Sequence, residues 1–224
     1  MKQSKNKEIL EELQSVLKGN TLDAIFPPLL FTLLNAWFSL PIAFFGALSL
    51  ASGTTLIRML NKQKGVYAIG GVIGVAIAGG FALLANNATN FFLPGIISNL
   101  FLLLVMLVSL MIGKPLAALA SHLTRGWTLS WFWRKDIKPA YTEVTLMWLF
   151  LFVLRSSLQI YLFLQNSINQ LAWMNTLLGL PFTVGVLVLS YVYGLFRLKQ
   201  LKGPGIEEYN NHQQPPYKGQ TRGF

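Results

Sequence analysis

Long apolar blocks separated by short polar connections dominate the sequence. Each block is close to the roughly 20 residues that an α-helix needs to cross about 30 Å of hydrocarbon. Six such spans are predicted, at residues 23–39, 41–60, 66–85, 91–113, 141–164 and 171–196. Only tight turns fit between the first and second, the third and fourth, and the fifth and sixth spans. The pattern therefore predicts an all-α integral membrane protein whose six transmembrane helices are arranged as three hairpins.

Proline and glycine mark local features of these spans. The pairs Leu40-Pro41, Leu93-Pro94 and Leu180-Pro181 each stand where the chain is predicted to turn back into the membrane. Proline costs no hydrogen bond at a first helical position, because that N–H has no intrahelical partner. We therefore expect a helix to begin at each pair. In the third span, the spacing Gly70-x-x-x-Gly74 predicts close packing against another helix.

Basic residues distinguish the two predicted sides of the membrane. All lysines and arginines except Arg155 fall in the N-terminal segment, in the second connection or at its edge, in the fourth connection, or in the C-terminal segment. The three hairpin turns carry none. Because short cytoplasmic loops are enriched in Lys and Arg, the pattern predicts that both termini are cytoplasmic. The expected location is a cytoplasmic (inner) membrane or its equivalent.

The same patterns divide the chain into three parts. Residues 1–20 are predicted to form a cytoplasmic amphipathic helix, either at the membrane interface or as an ordinary solvated helix. Residues 21–198 form the six-helix membrane domain, which includes a cytoplasmic interfacial segment at 114–140. Residues 199–224 are rich in Gly, Pro, Gln and Asn, so we expect a flexible cytoplasmic tail unless a partner orders it.

Composition narrows the chemistry that the chain can perform. Apolar residues make up 53% and charged residues 12%, whereas soluble proteins have about 25% charged residues. The net charge of +10 fits the topology and an attraction to anionic lipid headgroups, so we predict such lipids, and not nucleic acid, as partners. The chain has no cysteine and 2 histidines, and it lacks the motifs of intramembrane metal enzymes. We expect no enzymatic activity, no metal site and no cofactor.

Arg155 is the basic residue that lies inside an apolar span. Leaving its guanidinium in lipid costs at least about 2.5 kcal/mol, so it needs a partner. No carboxylate stands nearby within the spans, which leaves Gln159, Asn35 and Asn99 as candidates for an intramembrane polar site. Gln159 shares its helix face at i+4. The alternatives are a structural role, with Arg155 tying helices or snorkelling, a bound anion, a lipid phosphate, or a carboxylate from another subunit.

The interfacial segment combines aromatic and basic side chains. Tryptophan and arginine favour the depth of the lipid headgroups. The residues predicted to contact anionic headgroups are Arg125, Trp127, Trp131, Trp133, Arg134 and Lys135.

Several ordered motifs resemble those of a known family. They are Asn90-Phe91-Phe92-Leu93-Pro94-Gly95, Trp133-Arg134-Lys135-Asp136, Ala140-Tyr141, Trp148, and Arg155 with Gln159. Over residues 21–198 the chain resembles a bacterial polytopic membrane family defined only as a domain of unknown function. More distantly, Gly113-Lys114-Pro115-Leu116 and the hairpin arrangement are similar to the intracellular septation protein A family, whose members are linked to cell-envelope and division processes. Neither resemblance implies a catalytic residue.

These observations lead to one functional expectation and one alternative. The expectation is a non-enzymatic membrane protein that acts by binding, as an envelope-associated scaffold or as an accessory subunit, with a membrane-protein partner or a second copy of itself. The alternative is a small-solute or anion carrier whose midmembrane site surrounds Arg155 and uses the neighbouring amides.

Overall fold

The computed structural model describes residues 21–60 and 65–224, and the predicted helix at 1–20 lies outside them. Within these ranges the regular structure is helical, with no β-strand. The helices are α1 (Thr21–Trp37), α2 (Leu40–Leu60), α3 (Gly65–Leu84), a 3-10 helix (Ala88–Phe92), α4 (Leu93–Met111), α5 (Leu116–Arg125), α6 (Leu129–Phe132), α7 (Lys138–Leu164), α8 (Ile168–Leu177), α9 (Leu180–Leu201) and α10 (Ile206–Asn210).

Several helices are suited to a membrane. In the described part of the chain, 4 stretches are long and apolar enough to cross a bilayer: Leu40–Leu60, Ala88–Met111, Lys138–Leu164 and Ile168–Leu201. A shorter apolar helix covers Ile69–Leu84. The prediction of an all-helical integral membrane protein is confirmed. The six spans, their pairing as hairpins and the sides of the termini stay predictions.

Helices begin at all three Leu-Pro pairs, as predicted: α2 starts at Leu40, α4 at Leu93 and α9 at Leu180. Within the predicted sixth span, 171–196, the helix is interrupted between α8 and α9. At the break, a Cβ on Gly179 would lie 2.1 Å from the carbonyl oxygen of Asn175. Only glycine permits that close approach, and proline in the next turn has no N–H to extend the earlier helix.

One compact unit comprises the described residues up to Ser98 together with Ser156–Val184. In it, α1 packs on α2, α2 packs on α3, and α8 contacts α1 and the 3-10 helix. The buried side chains include an alanine face on α2 and the stacked rings of Phe31 and Phe91, whose centroids are 4.0 Å apart. Two connections also meet, since the Asn87 side-chain amide donates to Oδ1 of Asn166 at 2.8 Å.

The close approach predicted at Gly70 and Gly74 is not formed within the described residues. A Cβ added at either position would meet no atom within 4 Å. The tight contact of α3 lies at Gly79, where a Cβ would be 1.9 Å from Cδ2 of Phe44 on α2. The aromatic ring of Phe44 therefore occupies the space that the missing side chain leaves.

Replacing Gly79 by alanine should destabilise the first unit, and Gly80→Ala is a matched control on the same helix. Both changes gain about 1 kcal/mol of helix propensity, but a Cβ at Gly80 meets nothing within 4 Å. Moving the Phe44 ring should cost about 1–3 kcal/mol. We expect a lower Tm in detergent for Gly79→Ala and an unchanged or higher Tm for Gly80→Ala. Equal shifts would contradict the packing at Gly79.

The second compact unit comprises Asn99–Arg155 and Gly185–Phe224. Its main core is aromatic: Trp131, Phe132 and Tyr141 are each 0% exposed. Their rings meet edge to face, with 5.0 Å between the centroids of Trp131 and Phe132 and again between those of Phe132 and Tyr141. This geometry is the favourable one for aromatic pairs.

The C-terminal segment differs from the expected flexible tail. Ile206 and Glu208 are buried, and Pro204 accepts a hydrogen bond from Nε1 of Trp131 at 3.0 Å. Its composition gives the segment no core of its own, but the second unit supplies an aromatic surface that it covers. The segment therefore has a defined conformation through long-range contacts.

Candidate intramembrane binding site

Arg155 lies on α7, about 26 Å along the axis from the first residue of that helix at about 1.5 Å per residue. The side chain is partly buried. Its guanidinium carbon lies 6.0 Å from the centroid of the Phe152 ring. Nε of Arg155 is buried and has no hydrogen-bond partner among the described residues. The structure therefore places a cation deep in an apolar helix without an acceptor from the described part of the chain.

The contacts of Arg155 do not offset the free-energy cost of burying its guanidinium. A cation over an aromatic face gains about 0.5–2 kcal/mol, whereas a buried donor without an acceptor costs about 1–3 kcal/mol, and more when it is charged. Leu154 and Leu158, on either side of Arg155 along α7, are 53% and 42% exposed. Exposed apolar side chains therefore flank Arg155 along α7.

Gln159, predicted as a neighbour of Arg155, has a partner of its own. It is 1% exposed and its Nε2 donates to Oδ1 of Asn175 at 3.1 Å. Asn175 in turn donates to the carbonyl of Leu171 at 2.9 Å. Both belong to the first unit, and Asn175 was missed at the sequence level because α7 and α8 are joined by tertiary contact. Of the other two predicted residues, Asn35 is partly buried on α1 and Asn99 partly buried on α4.

A second set of polar residues, which the sequence did not reveal, lies in the second unit. Nε of Arg197 donates to Oε2 of Glu143 at 2.8 Å, and Nη2 donates to Oε1 at 2.8 Å. The Tyr193 hydroxyl donates to Oε2 of the same carboxylate at 2.7 Å. Tyr193 and Arg197 are one helical turn apart on α9, so both reach Glu143 on α7. Glu143, the acidic residue of α7, is therefore paired with Arg197. Arg155 thus has no free carboxylate on its own helix.

Trp131, which was predicted to contact lipid headgroups, is buried in the structure. Its side chain is 0% exposed, and its indole N–H donates to Pro204. The C-terminal segment covers it, which the local sequence could not indicate. Trp127 packs against Trp131 at 5.5 Å between ring centroids, and the guanidinium of Arg125 lies 5.3 Å from the Trp127 ring.

The other predicted headgroup contacts lie nearer the surface. Lys135 is exposed and Trp133 is partly buried. Arg134 forms a bidentate pair with Asp136, at 2.9 Å from Nε and 2.7 Å from Nη2. This hydrogen-bonded carboxylate raises the pKa of Arg134 above its usual value. Of the two cations, Lys135 is therefore more accessible to a headgroup than Arg134.

In the described part of the chain, no group of three or more His, Cys, Asp or Glu side chains is placed to hold a metal ion.

Fold and site together define an integral membrane protein with an arginine inside an apolar helix. Residues 18–199 match the family described as "Protein of unknown function (DUF3159)", and the chain belongs to that family. No curated protein and no solved structure matches the chain. The similarity to the intracellular septation protein A family stays a prediction. The segment that covers Trp131 lies beyond the matched residues.

Proposed function

We propose that this protein is a non-enzymatic membrane subunit that acts by binding another membrane protein, as an accessory subunit or an envelope-associated scaffold. Arg155 is the proposed contact, and it receives a carboxylate from a helix of the partner. The observation that carries the proposal is the buried Nε of Arg155, which lacks an acceptor among the described residues. Six spans with both termini on the cytoplasmic side of a bacterial inner membrane complete the proposal.

A carboxylate is the acceptor that best fits this position. Paired N–H donors of a guanidinium bind a carboxylate in bidentate fashion, and this charge-assisted geometry is about twice as strong as a neutral hydrogen bond. The attraction is also stronger in a medium of low dielectric constant than in water. The exposed leucines beside Arg155 provide apolar surface for the rest of a partner helix.

The carrier alternative requires a cavity that reaches Arg155. A cavity of about 300 Å³ opens between α2 and α3, where Ser52, Thr55, Met59 and Ile73 are among the lining residues. Arg155 is not one of them. Transport would need a different cavity, one that reaches Arg155.

Photo-crosslinking in native membranes tests the proposal. A photoreactive phenylalanine analogue at Leu158, beside Arg155, should give one protein adduct of defined mass. The same analogue at Phe101, which is 66% exposed on α4, is the control for general lipid-facing contacts. Arg155→Gln should reduce the Leu158 adduct at least tenfold, whereas Lys199→Gln, which removes an exposed cation, should leave it unchanged.

Three results would overturn the proposal: adducts with lipid alone, equal protein adducts from both positions, or an adduct that survives Arg155→Gln. A solitary protein that retains a small anion through purification and loses it in Arg155→Gln would favour the carrier.

A further inference from the structure

One carboxylate organises the segment that follows α9, residues 203–224, through bonds within that segment. Glu208 accepts hydrogen bonds from three backbone N–H groups, those of Gly205 at 2.8 Å, Lys218 at 2.7 Å and Gly219 at 3.0 Å. Burial opposes the charge of Glu208, but the three donors lower its pKa below the ordinary value. Gln220 adds a bond, since its Oε1 accepts from the N–H of Ile206 at 2.9 Å. These bonds fold the segment into a compact cap.

The last residues of the cap, Gly223 and Phe224, lie in a slot whose lining includes Arg125, Trp127, Tyr141, Tyr191 and Gly194. The Phe224 ring stacks on Tyr141 with 4.3 Å between centroids and 5° between planes. Nε of Arg125 donates to the Phe224 carbonyl at 3.2 Å, and the N–H of Gly223 donates to the Tyr191 hydroxyl at 3.3 Å. The slot therefore contacts both the ring and the backbone of the last two residues.

The slot selects small residues at two places. A Cβ on Gly223 would lie 2.7 Å from Cη2 of Trp127, and the φ of Gly223 is +77°. On α9, which lines the slot, a Cβ on Gly194 would lie 2.3 Å from the Phe224 ring. The geometry thus fits a glycine followed by an aromatic residue, with a bare backbone on α9 as the floor.

We propose that this slot is a peptide-docking site that recognises a glycine followed by an aromatic residue, and that its occupant, the chain's own segment 203–224, is a releasable cap. The slot residues Arg125, Trp127, Tyr191 and Gly194 lie within the residues that match the family, whereas the cap lies wholly beyond them. The cap contains a single helix of 5 residues, which is too short to be stable by itself. Its conformation depends on the slot, and release exposes Trp131 and Tyr141.

Adding one methyl group to α9, the helix that Phe224 contacts, tests the docking without changing the sequence of the cap. Gly194→Ala should displace Phe224, and Gly185→Ala on the same α9 is the matched control, because a Cβ there meets nothing within 4 Å. The chain has no cysteine, so Thr128→Cys and Thr221→Cys permit site-specific spin labelling of the full chain. We expect one narrow distance distribution in the parent and in Gly185→Ala, and a broad one in Gly194→Ala.

A peptide added in trans tests recognition. The peptide with the sequence of residues 203–224 should broaden the distribution of the labelled full chain, and the same peptide with Phe224→Ala should require at least a tenfold higher concentration. Equal potency of the two peptides, a broad distribution in the parent, or equal effects of the two glycine substitutions would overturn the proposal. A distance signal that depends on protein concentration would overturn the assignment of the occupant to the same chain, because it would show exchange with a second copy.

Discussion

Replacing Trp131 by alanine should lower the free energy of unfolding by about 3–5 kcal/mol, the range for removing a fully buried large aromatic side chain. The ring is 0% exposed and packs edge to face on Phe132 and Tyr141. Its removal would also leave the Pro204 carbonyl without the indole donor. The cap should loosen together with the aromatic core, since Trp131 contacts both.

Unfolding in mixed micelles with increasing denaturing detergent measures this effect. Trp131→Phe keeps most of the ring and loses the hydrogen bond, so its cost should be nearer about 1 kcal/mol. Trp133→Ala is the second control, because Trp133 is only partly buried. If Trp131→Ala were no more destabilising than Trp133→Ala, the role of Trp131 as a core residue would be rejected in favour of the headgroup contact.

Breaking the pair of Glu143 and Arg197 should also lower the free energy of unfolding. A fully buried pair would cost about 3–5 kcal/mol when one partner is removed. The side chains of Arg197 and Glu143 are 33% and 31% exposed, and surface pairs contribute only about 0–1 kcal/mol. The bidentate geometry and the added Tyr193 bond make a measurable loss of stability expected here, unlike for a surface pair joined by a single contact.

A double-mutant cycle isolates the interaction. Glu143→Gln and Arg197→Gln should each destabilise the protein, and the double variant should lose less than the sum of the two. Tyr193→Phe, which removes one hydrogen bond, should cost about 1 kcal/mol. Additive losses would show that the contact contributes nothing beyond the individual side chains.

Most helix positions were predictable from the sequence, and the predictions that failed have local causes. The helix starts at Leu40, Leu93 and Leu180 follow from proline chemistry and chain polarity. The break before α9 was missed because hydropathy averages over Gly179, whose role is set by a close backbone approach. Hydropathy likewise cannot say which glycine of α3 faces a neighbour, and Gly79 was found only through its contact with Phe44.

The sequence predicted Arg155 as the centre of the candidate site, but not the side-chain pairs around it. Arg155 is conspicuous as a charge within an apolar span. The carboxylate of Glu143 and its partner Arg197 are 54 positions apart in sequence, and Gln159 and Asn175 are 16 positions apart. No periodicity links such residues, because their pairing depends on how separate helices are placed.

The sequence by itself determined that this chain is an all-helical membrane protein, where several of its helices begin, and that Arg155 is a charge inside an apolar span that needs a partner. These properties depend on the length of apolar blocks, the missing N–H of proline and the cost of charge in lipid, all of which act locally. Only the tertiary structure decided that Trp131 is buried and that the last residues fill a slot on the second unit. Those contacts join parts of the chain that are remote in sequence, and the free energy of burial depends on the surface that another segment supplies.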